Sequence, residues 1–513
     1  MIDRRVFIGD LLRLAALAAV VPNEWRVTSR PRLTGDPFAL GVASGDPSAN
    51  GIALWTRLAP HPLEPLGGMD GGRAAVRWEV AHDERFTRIV KRGTATATPE
   101  LAYSVHADVS GLEPDRWYFY RFHSGDATSE TGRLRTTPAS SATTPLRLLF
   151  ASCQHYEQGL YTAYQHMAQE DADLVVHLGD YIYEGAPNRN GVRMHYSPLC
   201  MRLEDYRLRY AQYKMDEHLR AAHVARPWIV TWDDHEVSNN YAGLVAADTS
   251  LTIDVMRGRR AAAYQAWWEH QPVRLPAASD WANLSITRTM SWGAIAQCWV
   301  MDTRQYRSDQ ACGDGTKQVP CGEWADPSRT MMGAHEEKWL LDGLSASRAR
   351  WQVLANQVMM APLDSMRGEG VRVSMDQWSG YPVARDRLLG EIATRAPNRT
   401  VVITGDIHSN WVNELRSSFS KPEAPTIGAE FVGTSISSGG DGTDRWPAFD
   451  ALAPENQHIQ WQNSRRGYVA CRVSAGEWRA DYRTVPFVSQ PGAPIVTASS
   501  WRVAHGVAGI ERV

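Results

Sequence analysis

VVHLGDYIYE, residues 175–184, is the stretch on which the reading of the fold turns. Val175, Val176 and Leu178 suit a buried strand, yet Gly179 and Asp180 end it on an acid, and Tyr181 and Tyr183 follow where a loop should begin. Ligands of an open α/β sheet gather outside the carboxyl ends of its strands, where the loops leave around a common crevice. Asp180 is thus a candidate for such a crevice, and other strands should feed it too.

Other apolar runs end the same way. LRLLFAS stops at Cys153, PWIVTW at Asp233 and Asp234, WQVLA at Asn356, and RTVVITG at Asp406 followed by His408. Taken singly, an Asp or Asn at a strand end is more often a turn residue or a helix cap than a ligand. A thiol, several carboxylates, an amide and a histidine at one sheet edge would be costly to bury without neutralising cations. A metal centre is the expected reason for gathering them.

Around these strands the pattern is β-α-β alternation, with helical runs at 161–169, 202–223 and 253–269. Upstream, residues 38–138 read differently. Short alternating segments such as GIALWTRL, AAVRWEVA and RWYFYRFHS are divided by Gly, Pro, Asp and Asn turns, the pattern of an antiparallel β-sandwich. TTPASSATTP, residues 136–145, is the linker that divides this sandwich from an α/β domain over 145–513. The first 30 residues stand apart: Arg4 and Arg5, then Phe7, then an apolar run from Leu14 to Val21 are laid out as a twin-arginine (Tat) signal. Export to a periplasmic or extracellular location is expected, with the Tat machinery as a partner.

Composition narrows the function class. With 513 residues and a net charge of −3, and without a Lys/Arg tract, the chain lacks the broad basic surface of a nucleic-acid binder. It has no run of about 20 apolar residues, so no transmembrane segment is expected. The 6 cysteines are too few for a disulfide scaffold. Cys312 and Cys321, in ACGDGTKQVPCG, are the candidate pair for one disulfide in an exported protein, while Cys298 and Cys471 read as core residues.

ASCQ (151–154), HLGDYIYE (177–184), WDDHEVSNNY (232–241), DTRQYR (302–307) and GDIHSNW (405–411) together resemble the motif set of the PhoD-type alkaline phosphatases and phosphodiesterases. The GD, DHE and GDxH elements also resemble the wider calcineurin-like metallophosphoesterases, purple acid phosphatases among them. The resemblance implies an α/β metallophosphoesterase fold: two packed mixed β-sheets flanked by helices, preceded by the all-β sandwich. It implies a ferric ion (Fe3+) and one or two calcium ions (Ca2+). Cys153, Asp180, Tyr183 and His408 would ligate iron, and Asp180, Asp234, Asn356 and Asp406 calcium, with Asp180 bridging. Donor chemistry agrees, because thiolate and phenolate favour trivalent iron whereas carboxylate and amide oxygens make a hard site. A pair of zinc ions is disfavoured by the single histidine ligand.

The implied activity is a metal-dependent phosphoesterase that hydrolyses a phosphate ester by attack of metal-activated hydroxide. His235 would stabilise the transition state or act as general acid, unless it only orients Asp234. Arg304 or Arg307 could add positive charge for a bound phosphate. Two other readings stay open: a phosphodiesterase or phospholipase D-like enzyme on phospholipid, teichoic-acid-like or nucleotide diesters, and a non-catalytic envelope binding protein. His155 and His177 lie near the motifs, His177 being expected to be a satisfied core histidine, and His195 and His218 lack ligand spacing. FVGTSISSGGDG, residues 431–442, is read as a flexible loop rather than a phosphate cradle.

Overall fold

The strands Leu146–Ala151, Leu174–His177 and Trp228–Val230 lie side by side and parallel, with Val176 opposite both Phe150 and Ile229. Alternation along them sorts their side chains. Leu148, Phe150, Val176 and Ile229 face a second sheet, whereas Leu149, Ala151, Val175 and Val230 face helices. In this computed structural model, which describes residues 35–513, these strands centre a 10-stranded sheet. The expected Tat signal lies outside the described residues.

The second sheet has 7 strands, with Trp351–Ala355 and Thr400–Thr404 parallel near its middle and antiparallel strands at both margins. Trp351, Val353, Val401 and Ile403 complete the core between the sheets. Helices Gly333–Ala346 and Pro382–Arg395 cover its outer face through Leu340, Leu344, Leu388 and Ile392. Helices Thr162–Gln169, Leu203–Lys214, Glu217–Ala225 and Ile253–His270 cover the outer face of the larger sheet. The result is helix, sheet, sheet, helix, as the motif resemblance implied. The helical run expected over 202–223 is broken in two, because the Asp216 carboxylate accepts from His218 N at 2.9 Å and Leu219 N at 3.1 Å and starts a new helix.

The N-terminal segment forms a sandwich, but not a separate one. A 5-stranded sheet containing Ala74–Ala81 and Trp117–Ser124 packs on strands Val42–Ser48, Gly51–Arg57 and Ser104–Ser110 through Val42, Ile52, Val76, Tyr120 and Phe122. The latter three strands continue the 10-stranded sheet, since Gly45 pairs in parallel with Trp228. Only glycine fits there: a Cβ on residue 45 would lie 2.1 Å from Pro272 O and 2.5 Å from Trp228 O. Trp55 Nε1 donates to Glu269 O at 2.9 Å and Arg288 pairs with Asp46 at 2.9 Å across the same joint.

At the far margin Arg466–Val473, Glu477–Val485 and Val496–Ala504 extend the sheet in antiparallel fashion from Leu146–Ala151. The C-terminal segment thus builds sheet rather than covering the strand ends. Cys312 and Cys321 are joined in a disulfide, and Cys153, Cys200, Cys298 and Cys471 are free and buried.

Candidate metal centre

The loops after the central strands are held in conformations that side chains seldom adopt. Cys153, Asp180, Asp406 and His408 have φ of 58°, 55°, 64° and 53°, each in the left-handed region, at roughly 1–3 kcal/mol apiece. Surrounding bonds hold them there. Cys153 N donates to Gly179 O at 3.1 Å and Gln154 N to Asp180 O at 3.0 Å, locking the first two loops together. Gly179, at φ 108°, lets a third loop in, for a Cβ would meet Asp233 Cβ at 2.4 Å and Asp233 N at 2.6 Å.

Glu236 fastens that contact. Its buried carboxylate accepts from Asp180 N at 3.0 Å, Tyr181 N at 2.6 Å and Asp233 N at 2.8 Å. Burial pushes this carboxyl up to about 8, and the three N–H groups pull against it. Nothing in WDDHE distinguishes Glu236 from an ordinary polar residue until its backbone partners are known.

These loops bring most of the expected donors to one place. Atoms of Cys153, Asp180 and His408 lie within 4.8 Å of one another, as do atoms of Asp180, Asp233, Asp234 and Asp406. Asp180 belongs to both groups. Tyr183 joins the first, its hydroxyl donating to Asp180 Oδ2 at 2.8 Å and lying 3.1 Å from His408 Nε2 and 2.7 Å from Ser438 Oγ. Asn356 stands behind: its Oδ1 accepts from Trp378 Nε1 at 3.2 Å and its amide NH2 donates to Val358 O. Tyr181 packs away from the cluster, its hydroxyl 2.8 Å from His223 Nε2.

The electrostatics call for cations. Burial, with neighbouring carboxylates, pushes Asp180 and Asp233 well above the usual carboxylate range and Asp406 up to about 6. Burial likewise raises the Cys153 thiol and the Tyr183 phenol, with Asp180 adding to both. Asp234 goes the other way, because Arg304 and His235 outweigh its burial. Asp233 Oδ2 and Asp234 Oδ1 are buried without a hydrogen-bond partner among the described residues. A thiol, phenol and imidazole on one side and bare carboxylate oxygens on the other fit a pair of cations of different hardness.

Arg304 is wholly buried beneath the carboxylates. Its Nε donates to Asp233 Oδ1 at 2.5 Å and its Nη1 to Asp376 Oδ1 at 2.6 Å, with Nη2 3.6 Å from Asp234 Oδ1 and 3.7 Å from Asp406 Oδ1. Arg307 shares Asp376 at 2.7 Å. Both guanidiniums lie behind the cluster, outside the lining of the cavity that opens over it. His235 does line that cavity, with Nδ1 2.7 Å from Glu184 Oε2. Burial opposes its charge, but Glu184, Asp234 and Asp180 prevail and hold its pKa well above the ordinary imidazole value.

Other expectations resolve differently. The 431–442 segment is no flexible loop: Ser435, Ser437 and Ser438 are fully buried, and Ser438 Oγ donates to Cys153 O at 2.8 Å. Arg466 pins it, donating to Ser438 O at 2.7 Å and to His408 O at 2.6 Å. His177 is a core residue, but neither ring nitrogen has a partner among the described residues, and burial lowers its pKa to about 3. His155, Glu157 and His195 also approach one another. Tyr213 OH accepts from Tyr156 N at 3.1 Å and Tyr183 N at 3.2 Å, so its hydrogen goes to His195 Nε2 at 3.0 Å and His195 Nδ1–H faces Glu157. His195 Nδ1, 3.3 Å from Glu157 Oε2, has no hydrogen-bond partner among the described residues.

The PhoD-like phosphatase family matches residues 148–482, and the N-terminal domain of PhoD-like phosphatases matches residues 24–138. Alkaline phosphatase D of Bacillus subtilis (strain 168) is 46% identical over 522 aligned positions, which take in 100% of this chain and 89% of that protein. The chain belongs to the PhoD-like phosphatase family. A solved PhoD structure superposes with a TM-score of 0.91 at 47% identity, covering 94% of this chain and 93% of that one. A purple acid phosphatase from yellow lupin shares the fold alone, with a TM-score of 0.56 at 12% identity over 90% of this chain and 74% of that one. Family and donor cluster together make the chain a metal-dependent phosphoesterase, a phosphoric ester hydrolase. No described helix is long and apolar enough to cross a membrane.

Proposed function

We propose that this PhoD-like phosphatase holds one ferric ion between Cys153, Asp180, Tyr183 and His408, and one or two calcium ions among Asp180, Asp234, Asn356 and Asp406. The observation that carries the reading is that Asp180 lies within donor distance of both groups, as a bridging carboxylate must. When bound, the cations supply water activation and offset the charge on the phosphoryl oxygens.

The protein's own residues do the rest. Glu236 fixes the separation of the Asp180 and Asp233 loops, and Arg304 keeps Asp234 ionised beneath the cluster. The Glu184 carboxylate accepts a hydrogen bond from His235 Nδ1–H, which directs the other ring N–H to the cavity, where it protonates the departing alkoxide. We assign residues 38–138 to the sandwich domain, 145–513 to the catalytic domain, and 1–30 to a Tat signal that sends the enzyme to a periplasmic or extracellular location. The layout of Arg4, Arg5 and Phe7 supports the last point.

Elemental analysis and a visible spectrum of purified, active enzyme test the assignment. Iron with calcium, and a charge-transfer band that disappears in Tyr183→Phe, are expected. A colourless, iron-free and fully active enzyme would overturn it. Asp234→Ala should abolish ester hydrolysis, which a non-catalytic binding protein would not show in the first place.

A further inference from the structure

The cavity over the donor cluster holds about 500 Å3, and carboxylates are only part of its lining. Another part is an apolar wall. Met359 and Trp411 are buried in it, and Leu363, Ile407 and Trp446 complete it while half-buried. Trp446 stands edge-on to Trp411, their ring centroids 6.3 Å apart. A phosphoryl group held by cations makes no use of such a wall, and apolar surface facing water inside a polar cleft is the usual mark of a ligand that covers it.

Over the Trp446 ring is a cation. Lys317 is exposed, lines the cavity, and has no ion pair among the described residues, with Nζ 5.8 Å from the centroid of the Trp446 ring. It is not on a loose strand of chain. The Cys312–Cys321 disulfide closes its loop, Met375 N donates to Gly315 O at 2.9 Å, and Gln318 pairs with Val373. Asn240 Nδ2, whose backbone N donates to Asp234 Oδ2 at 2.7 Å, donates to Asp314 Oδ2 at 3.2 Å, so the loop is fastened to the metal centre itself.

We infer that Trp446 and Lys317 form a leaving-group subsite for phosphate esters whose alcohol carries a flat ring and a further negative charge. The inference rests on the phosphoesterase reading for the position of the phosphoryl group at the donor cluster. The ring of the alcohol packs on the apolar wall beside Trp446, and its anionic substituent meets the Lys317 ammonium, which stands over the Trp446 ring. Two separate observations thus select two separate features of one substrate.

Ethyl, benzyl and 3-carboxybenzyl phosphates separate these features without large changes in leaving-group acidity. In the wild type kcat/KM should rise about tenfold from ethyl to benzyl and about threefold more with the carboxylate. Trp446→Ala should erase the first gain, and the loss should appear in KM. Lys317→Gln, at an exposed position, should erase only the second, and Lys317→Arg should restore it. If both variants rank the three esters as the wild type does, the subsite is overturned. Calorimetric binding of 3-(hydroxymethyl)benzoate, the product alcohol, reads the subsite without turnover. Weakened binding in Lys317→Gln supports it even if no ester is cleaved, in which case the phosphoesterase reading fails alone, and equal or absent binding in all forms rejects it.

Discussion

His235 and Glu236 are neighbours with separate tasks. His235 faces the cavity, and its charge is maintained by Glu184, Asp234 and Asp180. In the proposed role of general acid, it would matter in proportion to how badly the leaving group needs a proton. His235→Ala should slow hydrolysis of alkyl phosphates about a hundredfold or more and of 4-nitrophenyl phosphate far less; steady-state kinetics on both will tell, and equal losses would rule the acid role out. Glu236 acts on backbone instead. Glu236→Ala strands the N–H groups of Asp180, Tyr181 and Asp233, which should lower stability by about 3 kcal/mol or more, measured by urea unfolding, together with metal content. Glu236→Gln keeps acceptor oxygen and should cost less.

At the scale of elements, the strand ends are what position the chemistry. Gly179→Ala would drive a methyl group into Asp233 and demand a positive φ of alanine, so the variant should fold with a lower melting temperature and reduced metal occupancy by elemental analysis. Full occupancy at an unchanged melting temperature would contradict this account. Much of this scale was legible in the letters. Cys153, Asp180, Asp234, Asp406 and His408 announce themselves because each donor terminates an apolar run. Glu236, Arg466 and Ser438 did not, since their partners are main-chain groups of distant loops, which no local pattern encodes. Asp216 was overlooked for a related reason: a cap within a charged helical run looks like one more charged residue.

For the whole molecule, what the sequence hid was a pairing across some 180 positions. The turn-rich segments of 38–138 spelled a sandwich, but nothing in them revealed that Val42–Ser48 pairs with Trp228–Val230. With core packing on one side and Trp55, Asp46 and their partners on the other, the sandwich should not melt alone. Scanning calorimetry of the metal-loaded chain is expected to show a single transition, and two resolved ones would mean the shared sheet does not couple the halves. The strand that meets Gly45 is also the one that runs on to Asp233 and Asp234. A tether on the sandwich, whether to a cell wall or to a bead, would therefore pull on the ladder that carries the loop of Asp233 and Asp234.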